Sequence, residues 1–176
     1  MPIKPSLEAV RADITTLAVD AIVNAANNGL YPGGGVDGAI RQAAGPELTE
    51  RTKDIGHCDT GASVITEGYR LPARFVIHTV APIWEDSHDR GTHEDLLASC
   101  YASALNLADE KHIHTVAFPC IGTGIYSWPA ERAAKIAFRT VVEHLRKHRT
   151  QHRVIFCCFG EADRARYQAM IDGLAN

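Results

Sequence analysis

Asn24 to Ile40, N-A-A-N-N-G-L-Y-P-G-G-G-V-D-G-A-I, concentrates residue types suited to holding an anion and acting beside it. The apolar run Ala21-Ile22-Val23 enters two asparagines, passes a glycine triplet at Gly33, Gly34 and Gly35, and leaves through Val36 and Asp37 as a helix-like sequence. Glycines let the backbone turn through positive φ and aim consecutive N–H groups at one ligand, while the helix start adds the positive end of its dipole. Asp37 falls in the first helical turn. There a carboxylate either complements the dipole as a cap or serves chemistry next to the anion at an electrostatic cost. Asn24 and Asn27 leave the strand three residues apart, and an asparagine amide suits both a turn and the hydroxyls of a ribose.

A second junction repeats this logic. Thr115-Val116-Ala117-Phe118 leads into Pro119-Cys120-Ile121-Gly122-Thr123-Gly124-Ile125-Tyr126-Ser127-Trp128, and Pro129 opens a long helical pattern. Gly122, Thr123, Gly124 and Ile125 offer backbone N–H groups, and Tyr126 follows either as a ring closing over the loop or as a buried anchor. Two strand–loop–helix junctions of this kind suggest a diphosphate held from both sides. Neither is a G-x-x-x-x-G-K-[ST] loop, nor a G-x-G-x-x-G followed by an acidic residue about 20 positions on. Asp13, after a short apolar strand, either caps the next turn or accepts a hydrogen bond from an adenine amine. Phe159 ends the run Val154 to Phe159 before Gly160, as a core aromatic or as a ring at the strand edge.

Other chemistries find little support. His57-Cys58, His112-x-His114 and the pair His144/His148 are fragments, and none completes a metal-ligand set with a recognised spacing. Cys120 has no identifiable base, and there is no G-x-S-x-G nucleophile elbow. Hydrolysis at this site therefore calls on water, without a cofactor.

The elements that must position these residues follow from periodicity. Short β-branched runs alternate with amphipathic stretches, the pattern of an α/β layered domain. Strands are predicted at 7–10, 21–25, 63–67, 74–80, 115–119 and 153–159, and helices at 38–44, 46–53, 92–111, 129–149 and 162–174. The runs at 63–67 and 74–80 are expected to pair antiparallel, which makes the sheet mixed. The polar segment Trp84–His93 reads as a surface loop, and Arg146-Lys147-His148-Arg149 as a solvated helix end where cations complement the dipole.

At 176 residues the chain fits one domain, residues 1–176. A formal charge of −3 gives no global basic field, so no nucleic acid partner is indicated. The five cysteines are odd in number and lack a framework spacing, which predicts reduced thiols and a cytoplasmic setting. Met1 to Pro5 carries no apolar core of signal-peptide length, and no apolar run is long enough to span a membrane.

The blocks A-D-I-T (Ala12–Thr15), V-N-A-A-N (Val23–Asn27), G-G-G-V-D-G-A-I (Gly33–Ile40), H-T-V (His78–Val80) and I-G-T-G-I-Y (Ile121–Tyr126) together resemble a macrodomain of the MacroD-type branch, over nearly the whole chain. The resemblance implies a three-layer α/β/α fold with a mixed central sheet flanked by helices. It implies binding of ADP-ribose, and hydrolysis of ADP-ribosyl esters on proteins and of O-acetyl-ADP-ribose. By the same resemblance Asp13 and Ile14 meet the adenine, Phe159 stacks on it, and Gly33, Gly34, Gly35, Val36, Gly122, Thr123, Gly124 and Ile125 hold the diphosphate. Asn27, Asp37 and Tyr126 are implied to position the distal ribose and a water, with Asn24 bracing the loop or contacting substrate. Ala12 and Pro32 stand where relatives often have glycine, and Pro32 removes one possible donor and stiffens the first loop. Retention of Asn27 with Asp37 favours a hydrolase; the alternative is a module that binds ADP-ribose without turnover.

Overall fold

The computed structural model describes residues 6–84, 90–148 and 152–174. Six strands form one sheet: β1 (Ser6–Arg11), β2 (Ala21–Ala25), β3 (Ser63–Glu67), β4 (Phe75–Thr79), β5 (Thr115–Phe118) and β6 (Arg153–Cys158). Five helices accompany them: α1 (Gly35–Ala44), α2 (Pro46–Ile55), α3 (Arg90–Glu110), α4 (Ala130–His148) and α5 (Glu161–Gly173). The sheet order is β1-β6-β5-β2-β4-β3. All neighbours are parallel except β3, which pairs antiparallel with β4 as the sequence suggests.

The central strands bury both faces, which is why they read as nearly continuous apolar runs. Ala21 and Val23, Val116 and Phe118, and Val154, Phe156 and Cys158 face one layer, where α3, α4 and α5 contribute Leu97, Tyr101, Ala137, Val141 and Tyr167. Ile22, Ala117, Ile155 and Cys157 face the other layer, with Ile40 and Ala44 of α1 and Leu48 of α2. The period-two alternation thus divides each strand between two helical layers, and the expected three-layer mixed fold is what forms.

Several element ends differ from the periodicity reading. α1 starts at Gly35, inside the glycine triplet rather than at Gly38, because Gly34 serves as its N-cap and Gly35 adopts φ +56° at no side-chain cost. α3 starts at Arg90, so the last part of the expected 84–93 loop is helical, and residues 85–89 lie outside the described residues. Arg149, expected at the end of α4, also lies outside them, while Arg146, Lys147 and His148 form an exposed last turn. Among the described residues no helix is long and apolar enough to cross a membrane.

Candidate functional site

Five parallel strands end on one edge of the sheet, and the segments that follow β1, β2, β5 and β6 carry Asp13, the 24–37 loop, the 119–128 loop and Phe159. Ligands of open α/β sheets bind outside the carboxyl ends of the strands. The topology therefore collects every candidate residue of the sequence at one edge.

The first loop presents the open amides of a helix start. Gly34 caps α1 without any side-chain hydrogen bond, and the first-turn amides of a helix have no partner within it. A Cβ placed on Gly34 or Gly35 meets nothing within 4 Å, so both face open space. Gly33 differs from them: its N–H donates to Asp37 Oδ2 at 2.7 Å and is committed to the protein, whereas the sequence reading gave it to the diphosphate. The amides that remain open at this helix start are those of Gly34, Gly35 and Val36.

Asp37 is 4% exposed and sits beneath this loop. Besides Gly33, it accepts from Asn24 Nδ2 at 2.7 Å on Oδ1 and from Arg41 Nε at 2.9 Å on Oδ2. Arg41, one helical turn on, is itself buried, and three of its four remaining N–H groups donate to Leu30 O, Thr49 Oγ1 and Thr52 Oγ1. The carboxylate is thus a paired ion under the loop rather than a bare like charge facing the anion, as the sequence reading had it. A carboxylate offers about four acceptor sites, so with three filled one remains on Oδ1.

Asn24 is fully buried and does not line the cleft; it is a brace. Its amide bridges Asp37 to His78 Nδ1 at 3.1 Å, and His78 Nε2 reaches Thr66 Oγ1 at 3.0 Å. Burial, and then the Arg41 cation, push the His78 pKa down to about 4, so the ring is neutral near pH 7. Because Asn24 Nδ2 can only donate, His78 Nδ1 accepts, Nε2–H donates to Thr66, and the Thr66 hydroxyl passes on to Glu67 O at 3.1 Å. Turning the Asn24 amide over would set its oxygen against the Asp37 carboxylate, which fixes the orientation even though Asn24 Oδ1 has no partner of its own. The order of donors is therefore fixed from β3 through β4 and β2 to Asp37.

Asn27 also holds the chain: Nδ2 donates to Tyr31 O and Oδ1 accepts from Tyr31 N–H, both at 2.9 Å. The pair closes the turn that swings Tyr31 outward, where the ring is 71% exposed at the rim. One amide hydrogen of Asn27 stays available for a ligand.

In the second loop the Thr123 N–H and hydroxyl both donate to Cys120 O, while the Ser127 and Trp128 amides donate to Gly124 O and Gly122 O. Gly124, Ile125 and Tyr126 keep amides with no partner among the described residues. Gly122 takes φ +89°, and a Cβ there would stand 2.8 Å from the Trp128 ring, so this glycine is required by both backbone and packing. Tyr126 is half-buried, and burial raises its phenol pKa, keeping it a neutral donor. The Cys120 thiol is pushed up by its hydrogen bond with Cys158 and then by burial, which leaves it protonated and no nucleophile.

Asp13, Ile14 and Phe159 follow β1 and β6 at the same edge. Asp13 does cap, accepting from Thr15 N–H and Thr15 Oγ1 on Oδ1, and its Oδ2 is left open. Phe159 is 95% exposed, which rules out the core reading. The Ile14 side chain is buried, so only its backbone can meet a ligand.

Arg41, His78, Thr66 and Tyr31 carried no role in the sequence reading. The i,i+4 spacing of Asp37 and Arg41 on one helix was an available signal. His78 and Thr66 gave none, being 54 and 12 residues from their partners.

The description "Macro domain" matches residues 23–137 of the chain. An ADP-ribose glycohydrolase of Xenopus laevis, MACROD2, is 55% identical over 154 residues, covering 87% of this chain and 37% of its own length. An O-acetyl-ADP-ribose deacetylase of Escherichia fergusonii is 43% identical over 172 residues, covering 96% of each. The macrodomain of Oceanobacillus iheyensis, solved with ADP, superimposes with a TM-score of 0.92 at 40% identity, over 99% of this chain and 94% of its own. The chain belongs to the macro domain family.

Proposed function

We propose that this protein binds ADP-ribose and hydrolyses its esters, releasing ADP-ribose from acidic side chains of modified proteins and acetate from O-acetyl-ADP-ribose. The relatives named as an ADP-ribose glycohydrolase and as an O-acetyl-ADP-ribose deacetylase support this class of activity. The observation that carries it is the buried carboxylate of Asp37, oriented from three sides directly beneath a helix start whose amides no side chain caps. Binding alone needs the amides; it does not need an oriented carboxylate with one acceptor site left.

In this reading the amides of Gly34, Gly35 and Val36 and those of Gly124, Ile125 and Tyr126 grip the diphosphate from two sides. Asp13 Oδ2 accepts from the adenine amine and the Phe159 ring stacks on the base, as the exposure of that ring supports. Asn27 and Tyr126 hold the distal ribose, and the free lone pair on Asp37 Oδ1 orients a ribose hydroxyl or the attacking water. Water adds across the ester, its hydroxyl ending on one fragment and its proton on the other. Arg41 keeps Asp37 from repelling the diphosphate, so the chain contributes position more than basicity. Five free cysteines support a reducing compartment such as the cytoplasm.

Incubation with O-acetyl-ADP-ribose and with a protein carrying ADP-ribose on acidic side chains, followed by mass measurement of the products, tests the proposal. Release from at least one is expected. Release from neither, with ADP-ribose still bound, overturns the hydrolase reading in favour of a reader module.

A further inference from the structure

The amino-terminal edge of the parallel strands, opposite the ADP-ribose edge, gathers a second set of polar side chains. Asp109 lies in the last turn of α3, His144 and His148 stand one turn apart at the end of α4, and His152 leads into β6. These elements are distant in sequence, and only the packing of α4 against α3 brings their ends together. One ligand atom from each of Asp109, His144 and His148 lies within 4.8 Å of the others. His144 Nε2 is 2.9 Å from Asp109 Oδ2, and the His148 ring stacks on His144 with centroids 4.2 Å apart. His152, almost fully buried, hydrogen-bonds the other oxygen, Asp109 Oδ1, through Nε2.

We propose that Asp109, His144 and His148 bind a divalent transition cation of the Zn²⁺ class, with His152 orienting the Asp109 carboxylate from behind. The donor set is two imidazole nitrogens and one carboxylate oxygen, which suits Zn²⁺ and not Ca²⁺ or Mg²⁺, cations that need a shell of oxygens. Two histidines at i,i+4 on one helix project side by side, as chelation from a helix requires. Ligand atoms on a tetrahedral zinc stand about 3.4 Å apart. The His144–Asp109 pair must therefore open by roughly half an ångström, and the widest separation must close by about 1.4 Å. The exposed His148 side chain at the helix end has the freedom to supply most of that closure.

A carboxylate that merely ties two histidines to each other would explain His144 and His152. It leaves His148 over, because that ring makes no hydrogen bond among the described residues yet stacks on His144 with one ring nitrogen within 4.8 Å of an Asp109 oxygen. His152 Nδ1 is buried without a partner among the described residues, so the ring's one hydrogen bond there is to the Asp109 carboxylate. Ligating carboxylates are themselves held by hydrogen bonds from an outer group, the part His152 takes here. Three protein ligands leave a fourth position, on the solvent side of His148, for water. The bound cation clamps the ends of α3 and α4 to the entry of β6 and takes no part in ester hydrolysis at the far edge.

Titration of the metal-free full chain with Zn²⁺, followed by calorimetry and by thermal melting, tests the proposal. Saturable binding of one equivalent and a raised Tm are expected. His148→Ala, at an exposed position, should weaken binding at least tenfold and abolish the Tm rise, with unchanged circular dichroism and unchanged turnover of O-acetyl-ADP-ribose. Asp109→Asn should lose binding as well. Co²⁺ in place of Zn²⁺ should give visible d–d absorption without a thiolate charge-transfer band in the near ultraviolet. No saturable binding below roughly 100 μM Zn²⁺ overturns the proposal. So do unchanged affinity in folded His148→Ala and a thiolate band, which assigns the ion to the cysteines.

Discussion

Replacing Asp37 with alanine tests the carboxylate as both a structural and a chemical group. The substitution removes the acceptor for the Gly33 amide and for Asn24 Nδ2, and leaves the Arg41 guanidinium buried with only the neutral acceptors Leu30 O, Thr49 Oγ1 and Thr52 Oγ1. Breaking a buried ion pair from one side costs about 3–5 kcal/mol. The three neutral acceptors that Arg41 keeps place the loss near the lower end. For a domain of this size about 3 kcal/mol corresponds to a fall in Tm of roughly 6–12 °C. A carboxylate acting only as a helix cap would cost about 1 kcal/mol. Adding Arg41→Met removes the stranded cation and should return about 1–2 kcal/mol while turnover stays low. At 25 °C, where the single variant remains folded, affinity for ADP-ribose should be near normal or slightly higher, since the loop then lies over an unpaired cation. Single-turnover deacetylation should fall sharply without a matching loss of binding. Thermal melting, calorimetry and rapid mixing on the same three proteins give the answer. A stability loss of 1 kcal/mol or less would refute the buried network as drawn, and near-normal single-turnover rates would remove Asp37 from the chemistry.

Gly124→Glu should abolish ADP-ribose binding in a folded protein, because a Cβ there meets nothing within 4 Å and the new carboxylate enters the anion seat; calorimetry beside circular dichroism checks both halves. Gly122→Ala should instead destabilise the fold, with a lowered Tm, since it forces φ +89° on alanine and crowds Trp128. Phe159→Ala should leave stability within about half a kcal/mol and weaken ADP-ribose binding by about 1–3 kcal/mol, the worth of one base–aromatic stack; unchanged affinity by calorimetry would show that the ring is not under the base. The fourth concerns acid. His78 has its pKa lowered in the fold from 6.5 to about 4, so the unfolded chain binds the extra proton between those values and stability falls as pH drops through that window. Denaturant melts at pH 7.5 and 4.5 should show about 2–3 kcal/mol of acid loss that is missing from His78→Gln, and equal losses in the two proteins would mean that His78 is not the titrating group.

The chain by itself determined whatever depends on local spacing. The continuous apolar runs Ala21–Val23, Val116–Phe118 and Val154–Cys158 set the strands and their two buried faces, because a pleated strand turns successive side chains to opposite sides. The glycine triplet and the proline-opened helix marked the two loops, and the motif blocks implied the three-layer fold through the family they resemble. Tertiary structure alone decided how the lone pairs are satisfied. Asn24 is a brace because His78, 54 residues away, and Asp37 close on its amide from two sides. Gly33 faces Asp37 rather than a ligand, since the helix begins inside the triplet and turns that amide inward. Phe159, apolar like the residues before it, is exposed because β6 ends at Cys158 and the ring stands just past the sheet. In the chain His144 and His148 are an incomplete pair, and only the packing of α3 brings Asp109 to them. Periodicity is written in one stretch of chain, whereas burial and hydrogen-bond partnership are properties of pairs that only the folded chain brings together.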